Sequence, residues 1–314
     1  MDRFVHPLVS VRHPSPETLG PFTGNIRLSR RQFTCGMLAA AVGVAAGPGP
    51  ADRAIGWQIG CYTRPWAAHD YRTALDAIAA AGFKYVGLMT AKSKNNLIIS
   101  VDTAPEETAA IGDEVKKRGL KVISLWGGQF PIDGPSGLQR LIDNSVACGC
   151  PHLMLGGTSE KLHAAYYKIV ADCCDYAQSK GVGLSIKPHG GSNATGAACR
   201  RIIDHVGDKS FRIWYDPGNV FFYSDGKLNP VDDAAAVDGV VSGMSVKDFR
   251  PPKEVGLTPG TGKVDFAKVL ARLKQGGFTR GPLVVECLAP GNLKHLETEA
   301  KKARQLLEEL ISKG

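Results

Sequence analysis

Lys187 and His189 stand two residues apart at the end of a short apolar run, residues 182–189, Val-Gly-Leu-Ser-Ile-Lys-Pro-His. In an extended chain, residues two apart share a face, so an ammonium and an imidazole point the same way. Pro188 withholds a backbone donor and should end the ladder there. Gly190 and Gly191 then let the chain turn away. An ammonium can polarise a carbonyl or hold an oxyanion, and an imidazole can move a proton or bind a metal. Two carboxylates occupy comparable places. Asp216 follows Ile-Trp-Tyr and precedes Pro-Gly, and Glu286 ends the run Pro-Leu-Val-Val-Glu. A carboxylate at the end of an apolar strand needs a partner. Lys247 and Asp248 close a further apolar run, 240–246. These groups can act together only if the ends of their runs meet.

The pattern of the chain supplies a way for them to meet. Strand-like apolar runs are expected at 55–62, 85–89, 121–126, 152–155, 183–187, 212–215, 240–246 and 282–287. Amphipathic helical patterns alternate with them at 70–81, 104–118, 136–147, 159–179, 195–205, 232–237, 265–274 and 292–311. Gly82, Gly119, Gly181 and Gly277 stand at helix-stop positions. Asp70, Ser159 and Asp265 stand near helix starts, where side-chain oxygens take orphan amides. The strands read as near-continuous apolar runs, as when both faces are covered. Eight βα units in one domain of this length predict an α/β fold, a closed (β/α)8 TIM barrel. An open doubly wound sheet fits less well, because no Gly-x-Gly-x-x-Gly follows the first run.

In such a barrel the working groups sit at the C-terminal strand ends. Ionisable residues gather on the last four strands: Lys187 and His189, Asp216 and Asn219, Lys247 and Asp248, and Glu286. The first four strands end mainly in glycine, methionine and aromatic residues, including Tyr62 and Trp126. Trp126, Tyr62, Asn219 and Asp248 are candidates for substrate binding. Glu286, Lys187, His189 and Lys247 are candidates for catalysis. The segment Gly260-Thr261-Gly262-Lys263 is no phosphate loop: Leu257 replaces the first glycine of that motif, and Val264 replaces its Ser/Thr. A glycine-rich lid over the barrel mouth is the expectation for it.

Composition narrows the class. The chain of 314 residues carries a formal charge of +8, with no basic stripe interleaved with aromatics, which argues against nucleic acid. Of eight cysteines, Cys35 lies in the leader, leaving an odd number with no Cys-x-x-Cys pair, unlike a disulfide framework or a zinc ribbon. Buried, small apolar thiols are expected. Residues 1–54 resemble a twin-arginine-type export signal and linker. Arg30-Arg31 are followed by Phe33, then by a weakly apolar run, 37–46, too short to span a bilayer. That implies export to a periplasmic or extracellular space and no stable membrane span, with the barrel occupying 55–314.

The ordered set Lys187-Pro-His, Asp216-Pro-Gly-Asn, Ser245-Val-Lys-Asp and Glu286, with the later Pro259-Gly-Thr-Gly-Lys-Val-Asp-Phe, resembles the xylose isomerase-like TIM barrels, a superfamily of sugar isomerases and epimerases. The resemblance implies a sugar or polyol substrate and proton abstraction next to a carbonyl. A keto-sugar (keto-glycoside) lyase of the same fold is an alternative, and a non-catalytic sugar-binding barrel is another. A nuclease of the related endonuclease group would need many more metal ligands. Family members often pair, which implies a homodimer, although no stretch marks an interface. The family also implies one divalent metal, held by a glutamate, an aspartate, a histidine and a glutamate on strands five to eight. Asp216 and Glu286 match two of those places, while Lys187 and Ser245 stand at the other two. Two arrangements follow. Either His189 joins Asp216 and Glu286 around Mn, Zn or Mg, or the ammonium of Lys187 replaces the metal charge.

Overall fold

The computed structural model of the protein describes residues 56–312. The expected export signal lies outside the described residues. Eight parallel strands form a closed barrel in sequence order. They are β1 Trp57–Tyr62, β2 Tyr85–Leu88, β3 Lys121–Trp126, β4 His152–Leu155, β5 Gly183–Ile186, β6 Phe211–Tyr215, β7 Val241–Val246 and β8 Gly281–Val285. Closure is made by β1 against β8, in register from Trp57 opposite Gly281 to Cys61 opposite Val285. The helices outside are α1 Tyr71–Ala80, α2 Pro105–Lys117, α3 Ser136–Ala147, α4 His163–Ser179, α5 Gly196–Val206, α6 Pro217–Tyr223, α7 Pro230–Asp233, α8 Phe266–Gln275 and α9 Leu293–Ser312. The strands lie within a residue or two of the sequence expectation.

Local chemistry explains most helix ends. Asp70 accepts from Arg72 N at 2.8 Å and Asp265 from Lys268 N at 3.0 Å, each capping the helix that follows. Ser159 makes no such cap; it opens a 3-10 turn, Glu160–Leu162, and α4 begins only at His163. The four expected glycine stops all take positive φ. The sequence pattern missed α6. It is one short helix started by Asp216, whose Oδ1 accepts from Asn219 N at 2.9 Å, with Pro217 in the first turn where its missing N–H costs nothing. Seven residues are too few to show a periodic apolar face.

The apolar core has two parts. The larger is the annulus between barrel and helices, including Leu75, Ile78, Leu141, Val170, Ile213 and Leu283, all at or below 1% exposure. Each such aliphatic side chain contributes roughly 1.5–3 kcal/mol by burial. The smaller part fills the barrel itself: Tyr62, Met89, Ile123, Met154, Trp214 and Val284. Two glycines make room for its rings. A Cβ at Gly87 would lie 2.1 Å from the Tyr62 ring, and one at Gly243 would lie 2.4 Å from Trp214. Inward positions alternate along each strand. Above Trp214 comes Asp216, above Val284 comes Glu286, and Lys187 and Lys247 emerge likewise past the ends of β5 and β7. The charged groups therefore stand directly on the apolar plug. The described cysteines, Cys61, Cys148, Cys150, Cys173, Cys174, Cys199 and Cys287, are all buried free thiols. Among the described residues no helix is long and apolar enough to cross a membrane.

Candidate active site

At the C-terminal rim the ends of β5, β6, β7 and β8 bring Lys187, Asp216, Lys247 and Glu286 into one cluster. Lys187 Nζ lies 2.6 Å from Glu286 Oε2 and 2.8 Å from Asp216 Oδ2. The first contact is a hydrogen bond; the second is an ion pair at an angle unsuited to one, so Asp216 Oδ2 has charge but no donor. Lys247 Nζ donates to Glu286 Oε1 and to Asn219 Oδ1, both at 2.9 Å. Ser245 Oγ donates to Glu286 Oε2 at 2.7 Å. Arg64, just past β1, places Nη1 3.3 Å from Glu286 Oε1. Glu286 thus takes Lys187 and Ser245 on one oxygen and Lys247 and Arg64 on the other, which fills its acceptor capacity.

The cluster is nearly sealed: Lys187 is 2% exposed, Asp216 0%, Lys247 4% and Glu286 3%. Burial raises the pKa of the Glu286 carboxyl, but Lys187, Lys247 and Arg64 outweigh it and hold the group well below the usual carboxylate range. Burial lowers that of Lys247, and the carboxylates of Glu286 and Asp216 outweigh it in the other direction. Both groups stay charged because they have each other. Removing either partner alone would leave an uncompensated buried charge.

His189 sits on top of this floor, open to solvent on one side. Its ring lies 5.9 Å from that of Trp126 and 5.7 Å from that of Tyr223, between centroids. Protein packed around its inner side lowers the pKa to about 4 by desolvation, with Lys187, Lys247 and Arg64 adding to the shift and Glu286 opposing it. The imidazole is neutral near pH 7. Arg64, with 39% of its side chain exposed, is the cluster's other open member.

The structure brings together six of the sequence candidates, Lys187, His189, Asp216, Asn219, Lys247 and Glu286, with Trp126 beside them. Asn219 orders the floor: its Nδ2 donates to Pro188 O at 2.7 Å while its Oδ1 takes Lys247. Tyr62 and Asp248 are elsewhere. Tyr62 is fully buried inside the barrel, with its hydroxyl donating to Ser124 Oγ at 2.9 Å, so no face is left for a substrate. Asp248 is also fully buried. Its Oδ1 accepts from Phe249 N and Val264 N at 2.8 and 3.0 Å, and its Oδ2 from Gly260 N and Gly262 N at 2.9 and 2.8 Å. It is an anchor for the 260–264 loop. The expected lid is therefore tied down by one carboxylate. Sequence reasoning did not assign Arg64 or Tyr223 to the site, and it placed Ser245 at a ligand position without giving it a role. Arg64 stands two residues past β1, a signal that could have found it; Tyr223 ends the unforeseen α6 and carried none.

The expected metal set of Asp216, Glu286 and His189 does not form. Among the described residues, no three His, Cys, Asp or Glu side chains converge in a way that could hold a metal ion. The two carboxylates that do converge meet on an ammonium instead. A hydroxyl, an amide and two lysines complete the surroundings, and this donor set does not fit a divalent ion.

The family described as xylose isomerase-like TIM barrel matches residues 75–310. A search of the curated proteins found no match. Among solved structures, a xylose isomerase domain protein from Planctomyces limnophilus superposes with a TM-score of 0.64 at 19% identity, covering 82% of this chain and 100% of that one. D-allulose 3-epimerase from Methylomonas sp., in complex with D-allulose, gives 0.63 at 19% identity, covering 81% and 97%. An L-ribulose 3-epimerase gives 0.62 at 15% identity, covering 82% and 95%. At these identities the likeness to solved structures is one of fold, while the family match spans most of the length. The chain belongs to the xylose isomerase-like TIM barrel family.

Proposed function

We propose that this protein is a sugar isomerase/epimerase-like enzyme in which His189 moves a proton next to the carbonyl of a sugar or polyol-derived substrate. The observation that carries this reading is the pairing of an open, neutral imidazole with a buried floor of surplus positive charge. Three cations, Lys187, Lys247 and Arg64, face two carboxylates, Asp216 and Glu286. Neutral His189 takes the proton from the carbon beside the carbonyl, and the electron pair moves onto the carbonyl oxygen. The resulting enolate oxygen is stabilised by the surplus charge, which is worth most where water is excluded. A proton delivered to the former carbonyl carbon, with the hydroxyl proton passing from one oxygen of the enediolate to the other, isomerises; a proton delivered from solvent to the opposite face of the original carbon epimerises. Loss of a leaving group instead gives the lyase variant of the same first step. Trp126 and Tyr223 supply ring faces beside His189 for the apolar side of a sugar. Glu286 is assigned to the floor rather than to the base, because its acceptor sites are filled and its pKa is low.

Incubation with ketoses and keto-glycosides in deuterated water, followed by NMR, tests the reading. Exchange of the C–H beside the carbonyl is expected, falling roughly 100- to 10,000-fold in His189→Gln. The rate should also fall as pH drops through about 4, where His189 gains its proton. A second reading, a sugar-binding barrel without catalysis, is favoured by one observation: the floor residues engage one another. Saturable sugar binding without any exchange would select it. The Arg30-Arg31 leader supports export, which fractionation of a full-length chain would check.

A further inference from the structure

We infer that the ammonium of Lys187 is a built-in cation that takes the place of a divalent metal ion, so that this barrel neither needs nor retains one. The inference shares the site with the proposed sugar chemistry. Its test reads metal content and melting temperature rather than turnover, so either can fail alone.

Nζ of Lys187 lies where an ion bridging the two carboxylates would sit. Asp216 Oδ2 and Glu286 Oε2 come from the ends of β6 and β8, on either side of β7, are sealed from solvent, and converge on a single point. Nζ occupies that point, 2.8 and 2.6 Å away from them. Carboxylates bind divalent ions at roughly 2.0–2.6 Å, so an ion bridging the same two oxygens would overlap the nitrogen. It would also face Lys247, whose Nζ lies 4.0 Å from Asp216 Oδ2 and 2.9 Å from Glu286 Oε1. The remaining neighbours turn toward the carboxylates as donors rather than toward a metal as ligands. Ser245 donates to Glu286 Oε2, and Asn219 gives its only acceptor to Lys247. Lys187 is only 2% exposed, so its ammonium is held at this point away from solvent.

Charge accounts for the exchange. Two adjacent buried carboxylates repel and require a compensating cation. A lysine supplied by the chain satisfies that need at every metal concentration. It brings one unit of charge rather than two, and Lys247 with Arg64 makes up the difference from the next strands.

The experiment uses the full chain, expressed in medium supplemented with manganese and zinc. The wild type should purify with far less than one divalent ion per chain, and neither chelation nor added Mn²⁺ should move its melting temperature. Lys187→Ala should melt lower, and Mn²⁺ should raise its melting temperature although it does nothing to the wild type. That selective rescue is the result a merely structural lysine would not give. A wild type that retains one ion per chain, or that melts lower after chelation, overturns the inference. So does a folded Lys187→Ala indifferent to Mn²⁺. Should Lys187→Ala fail to fold, metal content of the wild type still decides between the two outcomes.

Discussion

Asp248 and Glu286 are both almost sealed from solvent, and both collect donors on each of two oxygens. Around Asp248 the donors are backbone amides of Phe249, Gly260, Gly262 and Val264. Around Glu286 they are the side chains of Arg64, Lys187, Ser245 and Lys247. The difference separates architecture from chemistry. Neutral backbone donors fix the path of one loop, and nothing mobile is coupled to the charge they hold. Cationic donors from separate strands form a charge balance, and a ligand placed above can draw on it. Burial and residue type are alike at the two sites, so the origin of the donors is what distinguishes them.

The largest effect that would test this contrast is Glu286→Gln. It keeps the shape but removes the counter-charge of Lys187, Lys247 and Arg64. Denaturant titration should show a loss of about 3–5 kcal/mol, the usual cost of breaking a buried pair on one side. A neutral result would mean that water reaches these cations and that the floor is not sealed. A smaller effect is expected for Asp248→Asn. An amide nitrogen cannot accept, so at least one pair of loop N–H groups loses its partner, costing about 1–3 kcal/mol. Amide exchange should quicken at 260–264 while sugar binding persists. Loss of sugar binding with the loop still protected would erase the distinction between the two carboxylates.

The smallest expected effect is in the pH dependence of stability. Glu286 has its folded pKa below the ordinary 4.5, so its contribution is complete above that value and is lost as pH falls below it. This acid-side loss should shrink in Glu286→Gln. His189 and the buried His152 are each lowered from 6.5 to about 4, the latter chiefly by desolvation and then by Arg212. Between those pH values the unfolded chain binds more protons, so stability should decline as pH falls from about 6.5 toward 4. His189→Gln should remove part of that slope and leave the part due to His152. An unchanged slope would mean that His189 is neither desolvated by its packing nor repelled by the floor.

Much of the barrel was legible because its signals are local. Alternation of apolar runs, capping aspartates such as Asp70 and Asp265, and glycines at helix stops depend on a few neighbouring residues. The α6 helix was not legible. Its start is specified by Asp216 and Pro217, which read equally well as a turn. The ordered set Lys187, Asp216, Lys247 and Glu286 was legible as a group, since inward alternation carries each to the same rim. Which groups face solvent was not. Tyr62 and Asp248 occupy strand-end positions like the others, yet one is drawn into the barrel over Gly87 and the other into the 260–264 loop.

The sequence by itself determined that eight strand ends would meet and which ionisable types each would bring, because strand period and helix caps are set within a few residues. Only the tertiary structure decided that Lys187 lies between Asp216 and Glu286, and that His189 and Arg64 are the open groups. Those outcomes depend on distances between side chains as many as 222 residues apart, as for Arg64 and Glu286. They also depend on which of them the closed barrel shields from water, and no local pattern encodes either.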